Sequence, residues 1–489
     1  MKHYDVVIIG AGVIGCAIAR ELMRYDLSLA VLEKENDVCN VTSMANSAIV
    51  HSGYDPKPGT LKAKFNVLGN PMFDQICQDL DVEFSRPGSL TVATTMEEIE
   101  VLKTLEENAK QNGVVVQLLN AEEVRAKEPF LSDQVIGALF APTCGIVNPF
   151  ELTIGYMENA IENGAELFLN EPVVKIEKHN QEFEITTSNG TIFHANIVVN
   201  AAGLQSDTIS KLAGGISFDI FPRKGMYYVL DHFKMPFVKH TIFPVPSSSG
   251  KGVLVTPTTH GNYLVGPTSD YVQETDDFAT DRLSLDYIKM MALKMVPNIP
   301  FQHTIRSFAG LRAIASGNDF ILGEDACQPG LFQVAGIQSP GLAASPAIAR
   351  YIQSLICDKI KPSINKKFQP KRRPLYRLKS KTIEEKSALI ATNPSFGRII
   401  CRCEHISEGE IVDAIHRSCG ARSVKGVKKR VRPGFGKCQG GFCEPLVVKL
   451  LARELGISPI EVPYDRNQAT ILQKETKHIE GGRLTDEKL

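Results

Sequence analysis

The 489-residue sequence has almost no net charge and lacks long apolar runs. It carries 54 lysines and arginines against 55 acidic residues, for a formal charge of −1. This balance gives no general electrostatic reason to expect binding to nucleic acid, although local basic stretches need separate inspection. No apolar run approaches the roughly 20 residues that a membrane-spanning helix needs. We therefore expect a soluble protein with at most peripheral contact with a membrane.

The sequence also lacks the features of an exported protein. Asp5 interrupts the first apolar run and glycines follow at once, which is unlike a signal peptide. Eleven cysteines in such a chain suggest reduced thiols, so clustered ones are read as metal ligands before disulfides. Average apolar and charged contents exclude collagen, wholesale disorder and coiled coil, and the length predicts roughly three domains. We expect a cytoplasmic, multidomain protein.

The first forty residues predict a strand, a glycine-rich turn, a helix and a second strand. The two apolar strands are predicted at residues 4–9 (YDVVII) and 27–32 (LSLAVL), and Glu33 directly follows the second one. The glycines between them have G-x-G-x-x-G spacing: Gly10, Gly12 and Gly15. Such glycines allow a tight turn and let the backbone and a helix N-terminus approach a pyrophosphate, while Glu33 could bind a ribose diol. The pattern predicts dinucleotide binding without separating FAD from NAD.

Four later stretches favour FAD. They are residues 43–64 (SMANSAIVHSGYDPKPGTLKAK), 197–207 (IVVNAAGLQSD), 306–314 (RSFAGLRAI) and 332–349 (FQVAGIQSPGLAASPAIA). In this order the chain resembles the D-amino-acid-oxidase superfamily of FAD oxidoreductases over about residues 1–355. It looks closest to the branch of FAD-dependent glycerol-3-phosphate dehydrogenases and L-2-hydroxyglutarate oxidases. Several motifs in the right order are far more specific than one glycine fingerprint.

The resemblance implies further cofactor-binding residues, which are Ser43, Asn46, Ser47, Val174, Ala202, Gly203, Gly336, Ile337, Gly341 and Leu342. The first three would line the flavin pyrophosphate and ribityl chain, and Val174 would meet the adenine through its backbone. Ala202 and Gly203 would let the sheet approach the cofactor. The last four would close over the isoalloxazine, where a helix N-terminus can stabilise negative charge on the reduced flavin.

Oxidation of an alcohol needs a base, because the hydroxyl must lose its proton when hydride leaves the carbon. Histidine suits this role. His51 is the first candidate because the resemblance places its loop beside the flavin, His260 is the second and His240 the third. Two alternatives for His51 stay open: a hydrogen bond to the flavin without proton transfer, and covalent attachment of FAD as in some superfamily members.

Cationic side chains are the candidates for binding an anionic substrate. Arg312, which the resemblance places at the substrate edge, offers a planar fork for a carboxylate or a phosphate. Arg223, Lys224 and Lys251 could add charge for a dianionic phosphate. A phosphate favours two or more cations together, whereas a dicarboxylate favours one cation at each end, so the charge of the pocket should discriminate between them.

Two cysteine pairs near the C-terminus form a second candidate site: Cys401 with Cys403, and Cys438 with Cys443. Four thiolates favour zinc or an iron–sulfur cluster, and zinc sites more often use C-x₂₋₄-C pairs. Nearby glycines would let backbone amides turn toward the sulfurs: Gly436, Gly440 and Gly441. The C-x-C and C-x₄-C pattern resembles the bacterioferritin-associated ferredoxin type of [2Fe-2S] domain, which implies these four cysteines as ligands. Zinc and a coincidental grouping are the alternatives.

Together, these interpretations predict that the protein has an α/β fold class (α+β overall). It would have a Rossmann-like FAD-binding domain, a discontinuous mixed-sheet substrate domain and a small helical [2Fe-2S] domain. The expected boundaries are 1–80, 150–215 and 320–355 for the FAD domain, 81–149 and 216–319 for the substrate domain, 356–397 for a basic linker, 398–460 for the cluster domain and 461–489 for a polar tail. The linker is read as a solvated face, with docking to an acidic partner protein as an open alternative.

A flavin accepts a hydride and a [2Fe-2S] cluster passes single electrons, which favours a dehydrogenase over an oxidase. We expect oxidation of glycerol 3-phosphate to dihydroxyacetone phosphate, with electrons exported to a partner protein; a second flavoprotein subunit is one candidate. The stretch 253–270 (VLVTPTTHGNYLVGPTSD) looks more like the glycerol-3-phosphate branch. The alternatives are a dehydrogenase of L-2-hydroxyglutarate or another 2-hydroxy acid, an amino- or imino-acid dehydrogenase, and a non-catalytic electron-transfer subunit. A further alternative is that the cluster has only a structural role.

Overall fold

The computed structural model describes residues 2–246 and 252–474, which form two compact units. The larger unit comprises residues 2–34 and 38–374. The smaller unit comprises residues 375–474 together with residues 35–37, which lie just beyond the second strand of the sequence. A short N-terminal segment is therefore part of a unit that is otherwise C-terminal.

The larger unit combines strands and helices along the chain. Its strands are β1 (Lys2–Ile9), β2 (Leu29–Leu32), β3 (Ile49–Val50), β4 (Phe84–Ser85), β5 (Ser89–Ala93), β6 (Gln117–Asn120), β7 (Gly137–Ala141), β8 (Gly145–Val147), β9 (Glu166–Phe168), β10 (Val173–His179), β11 (Glu182–Thr187), β12 (Ile192–Asn200), β13 (Ile220–Leu230), β14 (Thr241–Pro244), β15 (Leu254–Pro257), β16 (Tyr263–Gly266), β17 (Asp270–Tyr271), β18 (Thr304–Ala315), β19 (Ile321–Glu324) and β20 (Leu331–Ala335). Its helices are α1 (Val13–Leu22), α2 (Leu61–Gly69), α3 (Phe73–Asp79), α4 (Met96–Asn112), α5 (Ala121–Lys127), α6 (Pro149–Glu162), α7 (Ser206–Leu212), α8 (Arg282–Met295) and α9 (Gly341–Ile360).

One sheet of the larger unit has parallel strands at its centre. Its order is β10-β11-β12-β1-β2-β9, with β20 also paired to β12 and β19 to β20. β1 runs parallel to β2 and β12, and β12 runs parallel to β20. Helices α6 and α9 pack on α1, and β2 is buried along its whole length. Continuous apolar strands such as β2 are typical of parallel sheets covered on both faces, which confirms the Rossmann-like fold.

The second sheet of the larger unit is mixed. Its order is β17-β13-β16-β15-β14-β5-β7-β6, with β18 paired to β13. Most neighbours are antiparallel, but β14 and β5 run parallel. The two sheets draw on interleaved stretches of chain, as discontinuous domains require, and this confirms the predicted fold class. The domain boundaries themselves stay predictions.

The smaller unit is mainly helical. Its elements are α10 (Ile383–Thr392), β21 (Ile399–Cys401), β22 (Ile406–Ser407), α11 (Glu408–His416), α12 (Val424–Val431) and α13 (Glu444–Leu455). Its core is formed by apolar residues of α11, α12 and α13. The stretch read as a linker contains α10, which begins at a capping box made by Thr382 and Glu385, and buries Leu375 and Leu378. This stretch is thus partly folded, because two apolar side chains and a helix cap interrupt its basic pattern.

Within the described residues, no helix is both long and apolar enough to cross a membrane. The cytoplasmic location and the peripheral membrane contact stay predictions. Part of the polar tail, residues 475–489, lies outside the described residues, as does Lys251.

Candidate active site

A cavity of about 920 Å³ lies in the larger unit. Its lining includes residues just after the carboxyl ends of three neighbouring parallel strands: Gly10 after β1, Glu33 after β2 and Ala201 after β12. Ligands of open α/β sheets bind at this edge. The sheet topology therefore places the cavity where a dinucleotide would lie.

Two of the three fingerprint glycines are required by close backbone approach. Gly10 has φ of +109°, and a Cβ atom there would lie 2.5 Å from the carbonyl oxygen of Ala201. A Cβ on Gly15 would lie 2.0 Å from the carbonyl oxygen of Gly10. Gly10 and Gly12 line the cavity, whereas Gly15 does not. The role of Gly15 is to let α1 pack on the end of β1. These are the turn and packing roles that the motif predicts.

Side chains of two loops fix the start of α1. The Ala11 amide donates a hydrogen bond to Glu33 Oε2 (2.7 Å), and the Val13 amide donates to Ser43 Oγ (2.9 Å). Asn46 supports the same loop through a bond from its Nδ2 to the carbonyl oxygen of Ser43 (2.8 Å). Glu33, Ser43, Asn46 and Ser47 all line the cavity. A carboxylate, hydroxyls and the start of a helix thus meet where a ribose and a pyrophosphate would bind.

The other predicted cofactor residues divide into those that line the cavity and those that do not. Ala202, Gly203, Ile337, Gly341 and Leu342 line it. Val174 and Gly336 do not, and their roles at the cofactor stay predictions. The Val174 side chain is 50% exposed and its neighbour Val173 lines the cavity. The pairing of β10 with β11 shifts its register between Val173 and Lys175. Gly336, with φ of +67°, turns the chain after β20, and a Cβ there would lie 2.7 Å from Ala315 Cβ.

His51 is the candidate base that lines the cavity. Its Nε2 lies 3.4 Å from Ser339 Oγ, and its ring centroid lies 5.9 Å from that of Phe243. Its carbonyl oxygen accepts hydrogen bonds from Asn66 Nδ2 (2.6 Å) and Asn70 Nδ2 (3.0 Å). The ring therefore projects from a main chain that two side-chain amides hold in place.

Asn66 and Asn70 were missed by sequence reasoning. Both are buried, and they are four residues apart, from α2 into the short helix Asn70–Met72. Residues at this spacing share a helix face. Two amides on the same face of a helix that follows a histidine-bearing loop were the available signal.

The second and third candidate histidines lie elsewhere. His260 Nδ1 is 2.7 Å from Glu83 Oε2 and its Nε2 is 3.0 Å from Asn148 Nδ2, so both ring nitrogens have protein partners. His240 Nδ1 is 2.6 Å from the buried Glu128. Neither histidine lines the cavity. The structure thus separates both of them from His51.

Lys224, a candidate for binding the substrate, does not line the cavity, and its role stays a prediction. It is 7% exposed, and its Nζ lies 2.7 Å from Asp277 Oδ2. Its neighbour Arg223 lines the cavity instead. The two residues face opposite sides because β13 is a strand, so they cannot act together on one ligand.

Arg223 and Arg312 form a cross-strand pair at the cavity. They are directly opposite in the register of β13 and β18, and both line the cavity. Arg312 Nη2 donates to the carbonyl oxygen of Thr268 (2.8 Å). Burial lowers the pKa of Arg312, and the charge of Arg223 lowers it further, while Tyr227 and the Asp270 carboxylate act in the opposite direction. Two like charges directly opposite each other in a sheet repel each other.

Gly225 makes room for this arginine. A Cβ at Gly225 would lie 2.3 Å from Arg312 Nη2 and 2.9 Å from Pro267 Cβ. The absence of a side chain at this position of β13 therefore sets where the Arg312 guanidinium lies.

The four cysteines of the smaller unit lie together. Cys403 Sγ is 3.7 Å from Cys438 Sγ. A hydrogen bond from the Cys443 side chain lowers the pKa of Cys401 to about 6, and the backbone amide of Phe442 lowers the pKa of Cys438. Thiolates are the forms that bind metals. This set of four soft donors fits a metal centre.

Glycines provide the space and some of the donors at this site. The amides of Gly434 and Gly440 hydrogen-bond Cys401 and Cys438, respectively. A Cβ on Gly436 would lie 2.3 Å from Cys403 Cβ, so this position also needs a glycine. Amides directed at cysteine sulfurs tune the reduction potential of a cluster.

Comparison with known families identifies the class of protein. Residues 5–355 match the FAD-dependent oxidoreductase (DAO) family, and residues 399–453 match the BFD-like [2Fe-2S] binding domain. The chain belongs to the DAO family of FAD-dependent oxidoreductases. Its cofactors are FAD and a [2Fe-2S] cluster, which confirms both predictions. The four-cysteine donor set fits the cluster, and the cavity at the strand ends fits FAD.

The chain is also similar to individual proteins of known name. The chain is 48% identical over 477 residues to a glycerol 3-phosphate dehydrogenase from Caloramator mitchellensis, covering 97% of this chain and 99% of that one. It is 34% identical to a glycerol 3-phosphate oxidase from Mycoplasma genitalium, covering 75% of this chain and 97% of the relative. The FAD-bound, dithionite-reduced L-α-glycerophosphate oxidase from Mycoplasma pneumoniae superposes with a TM-score of 0.74 at 29% identity, covering 77% of this chain and 100% of that chain. The roles of individual residues stay predictions.

Proposed function

We propose that this protein oxidises glycerol 3-phosphate to dihydroxyacetone phosphate and passes the electrons through its [2Fe-2S] cluster to a partner protein. The three relatives named above, which all match across nearly their whole length, support this substrate. A fused cluster domain supports the export of electrons rather than their delivery to oxygen.

The observation that carries the choice of substrate is the pair of arginines at the cavity. Arg223 and Arg312 occupy directly opposed positions on β13 and β18. A phosphate dianion between them could accept forked hydrogen bonds from both guanidinium groups. L-2-hydroxyglutarate would instead favour one cation at each end of the molecule. The adjacent pair therefore supports a phosphate-bearing substrate.

In the proposal, His51 accepts the proton of the substrate hydroxyl through Nε2. Its ring lies at the cavity and its main chain is held by Asn66 and Asn70. FAD, when bound, accepts the hydride that leaves the carbon, and the cluster passes single electrons onward. Arg223 and Arg312 would hold the phosphate and thereby orient the alcohol toward His51.

Anaerobic stopped-flow absorbance tests the substrate. We expect glycerol 3-phosphate to bleach the flavin faster than L-2-hydroxyglutarate or L-proline does. Arg223→Gln should raise the glycerol 3-phosphate concentration needed for half-maximal bleaching by about 10-fold to 100-fold, because a hydrogen bond to a charged group contributes about 1.5–3 kcal/mol. Arg306→Gln, on β18 but outside the cavity lining, is the matched control. Faster bleaching by L-2-hydroxyglutarate would contradict the proposal.

A second variant tests the base. His51→Gln should retain FAD and slow bleaching by about 10²–10⁴-fold, the usual contribution of a general base. A rate within about twofold of the unmodified protein would assign His51 to a hydrogen-bonding role. Bleaching that occurs only with NADH and a partner, and not with glycerol 3-phosphate, would favour the alternative of an electron-transfer subunit.

A further inference from the structure

The four cysteines of the cluster site differ in exposure. Cys401 and Cys443 are each 1% exposed, whereas Cys403 and Cys438 are open to solvent. Tetrahedral ligation at a metal–sulfur distance of about 2.3 Å places two sulfurs about 3.8 Å apart. The Sγ atoms of Cys403 and Cys438 are 3.7 Å apart, as expected for two ligands of one iron. The remaining pair, Cys401 and Cys443, are joined by a hydrogen bond.

Two exposed basic residues and an exposed aromatic residue lie close in the chain to the exposed pair. Arg402 and Lys437 are exposed and directly adjoin Cys403 and Cys438 in the chain. Phe442 is 52% exposed, and the Arg402 guanidinium lies 4.7 Å from its ring centroid.

The nearby carboxylates do not offset these charges at the surface. Glu404 is buried and pairs with Arg432 at 3.2 Å. Glu444 is half-buried beside Gly440, where a Cβ would lie 2.0 Å from its Oε1. Among these side chains, the fully exposed charged ones are therefore positive.

We propose that electrons leave the cluster through this surface, which we call the exit face (Arg402, Cys403, Lys437, Cys438 and Phe442), and that it binds a redox protein whose cofactor is surrounded by carboxylates. The proposal rests on the proposed function only in that the cluster must carry electrons outward. In each transfer, the reduced cluster loses one electron and the acceptor gains it, with no bond or proton exchanged. Cys403 and Cys438 are the exposed pair, so a cluster held by the four cysteines would have its shortest path to an acceptor on their side.

The combination of charge and aromatic surface favours a protein acceptor. Opposite charges steer association and raise its rate at low ionic strength. An aromatic residue at the centre with a charged rim is typical of the energetically important part of a protein interface. Phe442 would supply the apolar contact, and the two cations would set the orientation.

Chemical oxidants of opposite charge test the exit face without substrate. The loaded protein is reduced with dithionite, freed of excess reductant, and mixed with hexacyanoferrate(III) or hexaammineruthenium(III) in a stopped-flow instrument that follows cluster absorbance. We expect Arg402→Gln/Lys437→Gln to slow oxidation by the anion about tenfold at low ionic strength and to accelerate oxidation by the cation. Lys449→Gln, an exposed lysine six residues beyond Cys443 on α13, is the control and should leave both rates nearly unchanged.

Equilibrium binding provides a second readout. The redox-inert anion hexacyanocobaltate(III), followed by equilibrium dialysis, should bind more weakly to the double variant than to Lys449→Gln. Unchanged anion binding and oxidation rates in the double variant would overturn the proposal. The proposal would also be overturned if the unmodified protein co-sediments with phosphatidylserine vesicles and the double variant does not. That result would show that the exit face binds a membrane.

These experiments separate this proposal from the choice of substrate. Both variants should keep the cluster's EPR spectrum and the bleaching of the flavin by glycerol 3-phosphate. If glycerol 3-phosphate fails to bleach the flavin even in the unmodified protein, the substrate proposal fails, and the dithionite experiment still decides the exit face.

Discussion

Neutralising Asp37 should strongly destabilise the smaller unit. Asp37 is 3% exposed at its side chain and accepts two hydrogen bonds from Arg430, both 2.8 Å long. Lys429 Nζ lies 2.9 Å from the same carboxylate. Burial alone would raise the pKa of Asp37, but the charges of Arg430 and Lys429 outweigh it and hold the pKa well below its usual range. Asp37→Asn would leave two buried cations without their anion.

The size of the effect follows from this geometry. Removing one partner of a buried ion pair costs about 3–5 kcal/mol, because an uncompensated charge stays buried. A typical domain has an unfolding free energy of about 5–15 kcal/mol. At an m-value of about 2 kcal/mol per molar urea, the urea midpoint of the smaller unit should fall by about 2 M.

Urea unfolding followed by the visible circular dichroism of the cluster reports on the smaller unit. Asp465→Asn is the matched control, because Asp465 pairs with Lys425 at 3.5 Å where both side chains are about 30% exposed. We expect this change to cost less than about 1 kcal/mol, as for other exposed pairs. Equal midpoints for the two variants would refute the reasoning.

The pH dependence of the urea midpoint provides a second check of the Asp37 ion pair. Because the folded pKa of Asp37 is depressed, its contribution to stability is present above its unfolded pKa of about 3.9 and is lost as the pH falls through the folded pKa. The difference between the unmodified protein and Asp37→Asn should therefore be the same at pH 7 and pH 5. A difference that disappears between those two values would contradict the assignment.

Three further substitutions test the larger unit. Gly10→Ala should abolish FAD binding because its Cβ would lie 2.5 Å from a carbonyl oxygen, whereas Gly59→Ala, also at positive φ but with open space, should retain it; equal flavin content in purified protein would contradict this. Asn66→Ala should slow flavin bleaching by about twofold to tenfold with FAD retained, because one hydrogen bond of about 0.5–1.5 kcal/mol to the His51 carbonyl is lost. Gly225→Ala should displace Arg312 and raise the half-saturating concentration of glycerol 3-phosphate; an unchanged bleaching titration would show that Arg312 does not hold the substrate.

Local patterns in the sequence were enough for much of the fold. The strands around the glycine turn, and the helices on either side of the cysteine pairs, depend on neighbouring residues whose periodicity is visible in the chain. The alternation of a strand could also have separated Arg223 from Lys224, because only one of two successive residues faces a given ligand. Whether Arg223 or Lys224 faces the cavity depends on how β13 pairs with β18. The local sequence pattern does not contain this pairing.

Long-range partners explain what the sequence could not reveal. Asp37 binds Arg430, 393 positions away, so residues 35–37 join the smaller unit although they lie close after Glu33, the acid predicted to bind the ribose. His260 resembles a candidate base until Asn148 and Glu83 are found beside it. The capping box of α10 was visible in the sequence, but the surrounding basic residues obscured it.

Anaerobic titration with glycerol 3-phosphate, followed together by visible absorbance and EPR, tests the central claim most directly. We predict that the substrate bleaches the flavin and that the EPR signal of a reduced [2Fe-2S] cluster then appears in the same molecules without any added mediator. A flavin that stays oxidised in excess glycerol 3-phosphate would contradict the proposed substrate. A bleached flavin beside a cluster that stays EPR-silent would contradict the proposed path of the electrons.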